Sequence, residues 1–284
     1  MKMTDVANDY YSDNRTAGTP RRPLREWLTL VDRKVNVRGI AALAALALAW
    51  QIASRFYPAF LFPSIERVGV TALDLLAKAT ALAAIASTLV RILIYSSLSF
   101  GIATTLGIVA GLNRGFERTI VPLIELMQGV PAVCWIIFAI LWFRDTEVRI
   151  GFIIVATTLS SFFYQARDGV RAIPADLWNM VRALRPSPWQ FVQKLLLPAL
   201  LPSILTAWRI NVGAATRVTI MAELLGGLGG IGNQLRLSQE LFRMDRAIVW
   251  TLVLVAFVVA VNGALSLIER AFAGWHKPRE AEHD

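Results

Sequence analysis

A chain of 284 residues that is 56% hydrophobic and only 17% charged, with a mean hydropathy of +0.53, does not have the composition of a soluble globular domain. Its net charge of +9 calls for no nucleic-acid partner, because basic residues beside membrane spans hold loops in the cytoplasm and attract anionic lipid headgroups. One cysteine, Cys134, excludes an intrachain disulfide or a cysteine-based zinc site, and both histidines, His276 and His283, stand in the polar C-terminal segment.

Residues 1–38 are polar and basic, with Pro20 and Pro23, and read as a cytoplasmic tail ending in an interfacial helix around Leu24 to Val31. This segment is not expected to be a signal peptide, because the basic stretch is too long and no convincing small-residue cleavage site follows the first apolar run. A bilayer core needs about 20 apolar residues in helical form. About six runs meet that need, at 39–57, 87–112, 119–143, 150–166, 195–225 and 247–268, which predicts an all-α integral membrane protein with a transmembrane domain over 39–270.

The second run carries Arg91 near its start and a Gly107/Gly111 pair whose spacing allows close helix approach, read as packing within the chain. The third holds Glu125, Pro122 and Pro131; the fifth begins with Pro198 and Pro202. Proline at these places bends helices or frees carbonyls. The Gly-rich stretch 226–232 lacks the strand-turn-helix setting of a nucleotide loop and is read as a flexible extracytoplasmic connection. No GxxxxGKS or GxxxxGKT sequence is present, so the chain has no phosphate cradle of that kind to hydrolyse ATP.

If the N-terminus is cytoplasmic, 18 of the 29 Lys and Arg residues fall on inner segments, eight on outer segments and three, Arg91, Arg209 and Arg217, inside spans. Both termini, including the tail 271–284, are therefore expected on the cytoplasmic side. The long inner segment between the fourth and fifth spans, 167–196, is patterned. After Pro174, Leu177, Met180, Val181 and Leu184 recur at helical spacing; Arg185-Pro186-Ser187-Pro188 stops that helix, and Trp189 opens a second amphipathic one with Phe191, Val192 and Leu195. A helix-turn-helix on the cytoplasmic surface is a shape that a partner can grip.

This segment resembles the cytoplasmic EAA loop of binding-protein-dependent ABC importer permeases, in the branch for nitrate, sulfonate, taurine and bicarbonate. That loop has the form EAA-x3-G-x9-I-x-LP. Aligned on Leu195-Leu196-Leu197-Pro198, Asn179-Met180-Val181 take the EAA position and Arg185 the glycine. The frame around them matches at Arg171, Leu177, Arg182, Leu184, Ser187 and Trp189-Gln190, although the hallmark residues are replaced. Weaker matches continue along the chain at Leu61-Phe62-Pro63-Ser64, Ser87 to Arg91, Gly107 to Gly111, Gly129 to Ala132, Leu141 to Phe143, Pro198 to Leu205, Arg209, Ala222-Glu223 and Gly227 to Gly229.

The resemblance implies a type I importer permease fold and a non-catalytic membrane subunit that needs no cofactor or metal. It further implies a second permease copy, cytoplasmic ATPase subunits that hydrolyse ATP, and an extracytoplasmic solute-binding protein, in the bacterial plasma membrane. Asp176, Asn179, Met180, Val181, Arg182, Arg185 and Trp189 would form the ATPase-coupling loop, and Met180 and Val181, larger than the family's alanines, call for an altered cleft in that ATPase. The solute would be a small anion such as nitrate, a sulfonate such as taurine, or bicarbonate.

Charges at bilayer depth face a cavity or a partner. Arg91, Glu125, Arg209, Arg217 and Glu223 are therefore the translocation-path candidates. Arg209 and Glu223 share a helical face but lie about 21 Å apart, so each needs its own partner. With Arg91 they read either as tethers to neighbouring helices, since the resembled family has them whatever its solute, or as path residues. Arg217 matches no position of the family pattern; it either selects an anionic solute or snorkels toward the interface. Glu125 either lines the path or pairs with Arg118. A secondary transporter or channel acting without an ATPase would show inverted repeats or acidic relays, and a membrane enzyme would cluster His, Asp or Glu at depth; neither pattern is found.

Overall fold

The computed structural model describes residues 37–184, 186–226 and 229–273, and among them every regular element is a helix. The expected tail before residue 37 and the segment after residue 273 lie outside the described residues. The chain divides into two units, Met1–Tyr57 and Pro58–Asp284. In the first, α1 (Val37–Ala53) is an apolar helix of 17 residues, with Trp50 and Gln51 in its last turn.

The second unit begins with α2 (Ile65–Leu76), whose first turn is closed by the Ser64 side chain accepting from the Arg67 N–H. The 34-residue α3 (Ala79–Leu112) starts well before the expected run, because nothing between Ala79 and Ile85 interrupts a helix. Arg91 consequently lies inside the helix rather than near its start. Asn113 ends α3 and caps α4 (Arg114–Gly129), accepting from the backbone of Gly115 and Phe116.

The expected third span, 119–143, is not one continuous helix: α4 and α5 (Ala132–Trp142) meet at 93° across Val130 and Pro131. Proline disfavours the helical region for the residue before it, and Val130 is extended, so the chain turns there. Then follow α6 (Thr146–Arg171), capped by Asp145, and the short α7 (Ala175–Ala183). After it α8 (Pro188–Phe191) runs through a π turn (Val192–Leu196) into α9 (Leu197–Gly226). Last come α10 (Gly230–Glu240) and α11 (Met244–Ala273). Among the described residues, four helices are long and apolar enough to cross a membrane, and the bent pair α4–α5 makes a fifth if it counts as one span.

Lipid tails are as apolar as leucine, so helices in a bilayer associate through close packing and polar contacts rather than through loss of water. The glycines show this directly. A Cβ on Gly107 would come within 2.5 Å of the Phe163 carbonyl, and one on Gly111 within 2.7 Å of Val170 Cβ. The GxxxG pair of α3 thus seats α6 inside the same chain, as expected. Around that seam lie two cores. One joins Ile92, Ile136, Ile153 and Ala215; the other joins Ala103, Ile124, Phe162, Phe163 and Ala207.

Candidate functional site

Two of the candidate charges meet. The carboxylate of Glu223, fully buried near the end of α9, receives hydrogen bonds from Thr88 Oγ1 (2.9 Å), Arg91 Nη1 (2.9 Å) and the Gly232 backbone N–H (2.8 Å). Thr88 in turn accepts from the Ile231 N–H at 2.8 Å. The other edge of the Arg91 guanidinium faces Glu147, its Nε donating to both carboxylate oxygens at 3.0 Å. One arginine on α3 therefore ties the first turn of α6 to the last turns of α9. An acid stripped of water is tolerable only when such donors saturate it.

Two glycines after α9, Gly230 and Gly232, are part of this node, where the sequence leads one to expect a flexible connection. Gly230 has φ +86°, a left-handed backbone that glycine alone adopts freely, and a Cβ there would meet the Glu223 carboxylate at 2.3 Å. At Gly232 the added atom would stand 2.5 Å from Glu223 Cβ. The chain must fold back over the acid with no side chain between. Nearby, Arg149 closes the same end of α9 by donating to the carbonyls of Gly226, Phe143 and Arg144.

Arg209 is tethered as well, to Glu269 and, at 3.1 Å, to Ser266 of α11. Arg217 is not. It is exposed in the C-terminal half of α9, and among the described residues it has no acid or hydrogen-bond partner. Ile210, Met221 and Leu225 are exposed on the same helix. Glu125 is exposed on α4, and no ion pair joins it to the exposed Arg118; seven residues along a helix separate them by about 10 Å, beyond contact. The acid of α4 that does pair is Glu117, with Arg171 and, at 3.7 Å, with Arg167. Arg167 also bonds Asp168 at 2.7 Å and lies over the Tyr164 ring.

The segment 167–196 holds the two short helices expected of it. Ser187 and Gln190 cap α8 reciprocally: the Ser187 N–H donates to Gln190 Oε1 at 3.0 Å, and the Gln190 N–H to Ser187 Oγ at 3.3 Å. The apolar stripe of α7 divides. Trp178 and Val181 turn inward onto Ile173, Leu195, Leu196 and Leu200, with the Trp178 ring 5.4 Å from that of Phe191. Leu177, Met180 and Leu184 are exposed, as are Asp176, Asn179 and Trp189. Arg185 lies outside the described residues, and Arg182 is placed only as a backbone position of α7.

Glu147, Thr88 and the Gly230/Gly232 pair are site residues that the sequence reading missed. Glu147 stands in the first turn of a helix, where an acid is ordinary. A readable signal was the isolated glutamate followed within nine residues by glycines, since a buried carboxylate needs backbone donors close by.

Residues 103–274 match the model of a family described as binding-protein-dependent transport system inner membrane component. The bicarbonate transport system permease protein CmpB of Synechococcus elongatus is 33% identical over 132 residues, which are 46% of this chain and 48% of that protein. The chain thus spans about half the length of that relative. The match to the putative aliphatic sulfonates transport permease protein SsuC of Bacillus subtilis is 22% identical but covers 86% of this chain and 89% of that one. The nitrate import permease protein NrtB of Synechocystis is 25% identical over 232 residues, 76% of this chain and 82% of the relative. Among solved structures, a chain of the inward-facing MetNI methionine ABC transporter superposes with a TM-score of 0.60 at 19% identity, covering 67% of this chain and 95% of that one.

Proposed function

This chain belongs to the binding-protein-dependent transport system inner membrane components, and from that premise we propose that it is the membrane subunit of an ATP-driven importer for a small anion. Two copies would enclose the path between them, with ATPase subunits on the cytoplasmic side and a solute-binding protein outside. Both termini are cytoplasmic in this reading, which the bias of basic residues toward the inner segments supports.

The observation that carries the proposal is the exposed face of α7 and α8. Leu177, Met180, Leu184 and Trp189 stand in the open while Trp178, Val181 and Phe191 anchor the same helices to the ends of α6 and α9. Apolar side chains kept outside on a rigidly seated helix pair suit insertion into a partner's cleft. A nucleotide-driven movement of that cleft would then reach α6 and α9 directly, biasing a two-state arrangement of the spans. Arg91, Arg209 and Glu223 act as tethers that keep the spans in register. Arg217, charged and unpartnered at depth, faces the path and attracts the anion.

Expression of a tagged chain with the genes beside it tests the assembly. A soluble ATPase should co-purify, and Met180→Cys should cross-link to it with a yield that responds to ATP. Absence of any ATPase from the purified assembly, or labelling of the introduced thiol from the outer side, contradicts the proposal.

A further inference from the structure

At the end of the unit where α3 and α11 begin, α2, α3, α10 and α11 surround a polar cleft of about 300 Å³ that includes none of the charges discussed above. The buried Trp250, packed with Leu75 and Ala81, lies against it, so the cleft has a rigid wall. Two lining residues, Thr71 and Arg243, are held by an acid outside the lining. Asp245, buried, accepts from Arg243 Nε at 3.0 Å and Nη2 at 2.8 Å, and from Thr71 Oγ1 at 2.9 Å. Arg243 is thereby held in its charged form by its neighbour.

With Arg243 and Asp245 matched, two cations remain in the lining, Lys78 and Arg246, and one acid, Asp74. Among the described residues none of the three has an ion-pair partner. The cleft therefore keeps an excess of positive charge, along with neutral hydrogen-bonding groups on Thr80 and Gln234. A guanidinium is a planar fork that suits a carboxylate, sulfonate or phosphate edge, and an ammonium supplies a second point charge. The volume is at the small end of the range for ligand pockets and larger than a lone chloride needs.

We infer that this cleft is a binding site for a small oxyanion, with Arg246 and Lys78 as its cationic contacts and Asp74 setting a limit on its affinity. The inference does not need the import proposal, because the cleft is complete within one chain and calls for no ATPase.

The test is a titration of the full-length chain, in nanodiscs of zwitterionic phosphatidylcholine, with sodium sulfate against sodium chloride at constant ionic strength. Thermal unfolding should show saturable stabilisation by sulfate alone. Arg246→Gln and Lys78→Gln should each weaken it about tenfold, and Asp74→Asn should strengthen it by relieving like-charge repulsion. These side chains are exposed or half-buried, so the variants should fold, and circular dichroism checks that they do. Adding phosphatidylglycerol to the nanodiscs separates the sources. Arg246-dependent stabilisation by the lipid, with sulfate only competing, identifies the oxyanion as a headgroup phosphate. Equal response to sulfate and chloride, unchanged affinity in both cation variants, or weaker binding in Asp74→Asn overturns the inference.

Discussion

Glu223 and Arg217 stand on the same helix, less than two turns apart, and their surroundings are opposite. The carboxylate is sealed beneath Thr88, Arg91 and the Gly230–Gly232 turn, with donors on both oxygens. The guanidinium is exposed and unpartnered among the described residues. A charge saturated by its own chain holds that chain together. One left open requires something from outside it, whether solute, water or a second copy. The contrast separates the part of α9 that holds the fold from the part proposed to meet the cargo.

The comparison breaks most forcibly at the acid. Glu223→Ala leaves Arg91, Thr88 and the Gly232 N–H without a buried acceptor and should cost about 3–5 kcal/mol, read as loss of folded protein in a detergent-based thermal-unfolding assay. Gly230→Ala should follow at about 2 kcal/mol, because its Cβ would collide with the carboxylate and its backbone is left-handed. By contrast Arg217→Gln should leave the unfolding temperature unchanged and lower uptake about tenfold, with Arg217→Lys retaining most of it. Smallest, Thr88→Val should cost about 1 kcal/mol, since hydrogen bonds between membrane helices contribute modestly. If Arg217→Gln instead unfolds the protein, the division of α9 into a holding part and a cargo part fails.

Much of this was legible in the sequence, and the parts that were not have physical reasons. The long apolar helices follow from run length, and the packing of Gly107 and Gly111 within the chain from their spacing. The helix pair at 175–191 is readable from Pro174, Pro186 and Pro188. The 93° turn at Val130–Pro131 was not, because a proline inside an apolar run reads equally as a bend in one span or as a break between two helices. The Arg91–Glu147–Glu223 triad was hidden for another cause. Its members lie 56 and 132 positions from Arg91 along the chain, and only the crossing of α3, α6 and α9 brings them together. Val181 shares a helical repeat with Leu177, Met180 and Leu184, yet it turns away from them because Phe191 and Leu195 arrive from α8 and the π turn to pack on its side.

The central claim is that this chain carries solute only when an ATPase drives it. Proteoliposomes holding the chain, its ATPase and its binding protein, supplied with radiolabelled taurine, nitrate or bicarbonate, test it most directly. Uptake should require ATP and be lost in Arg217→Gln; uptake that proceeds at the same rate without ATP or ATPase contradicts it.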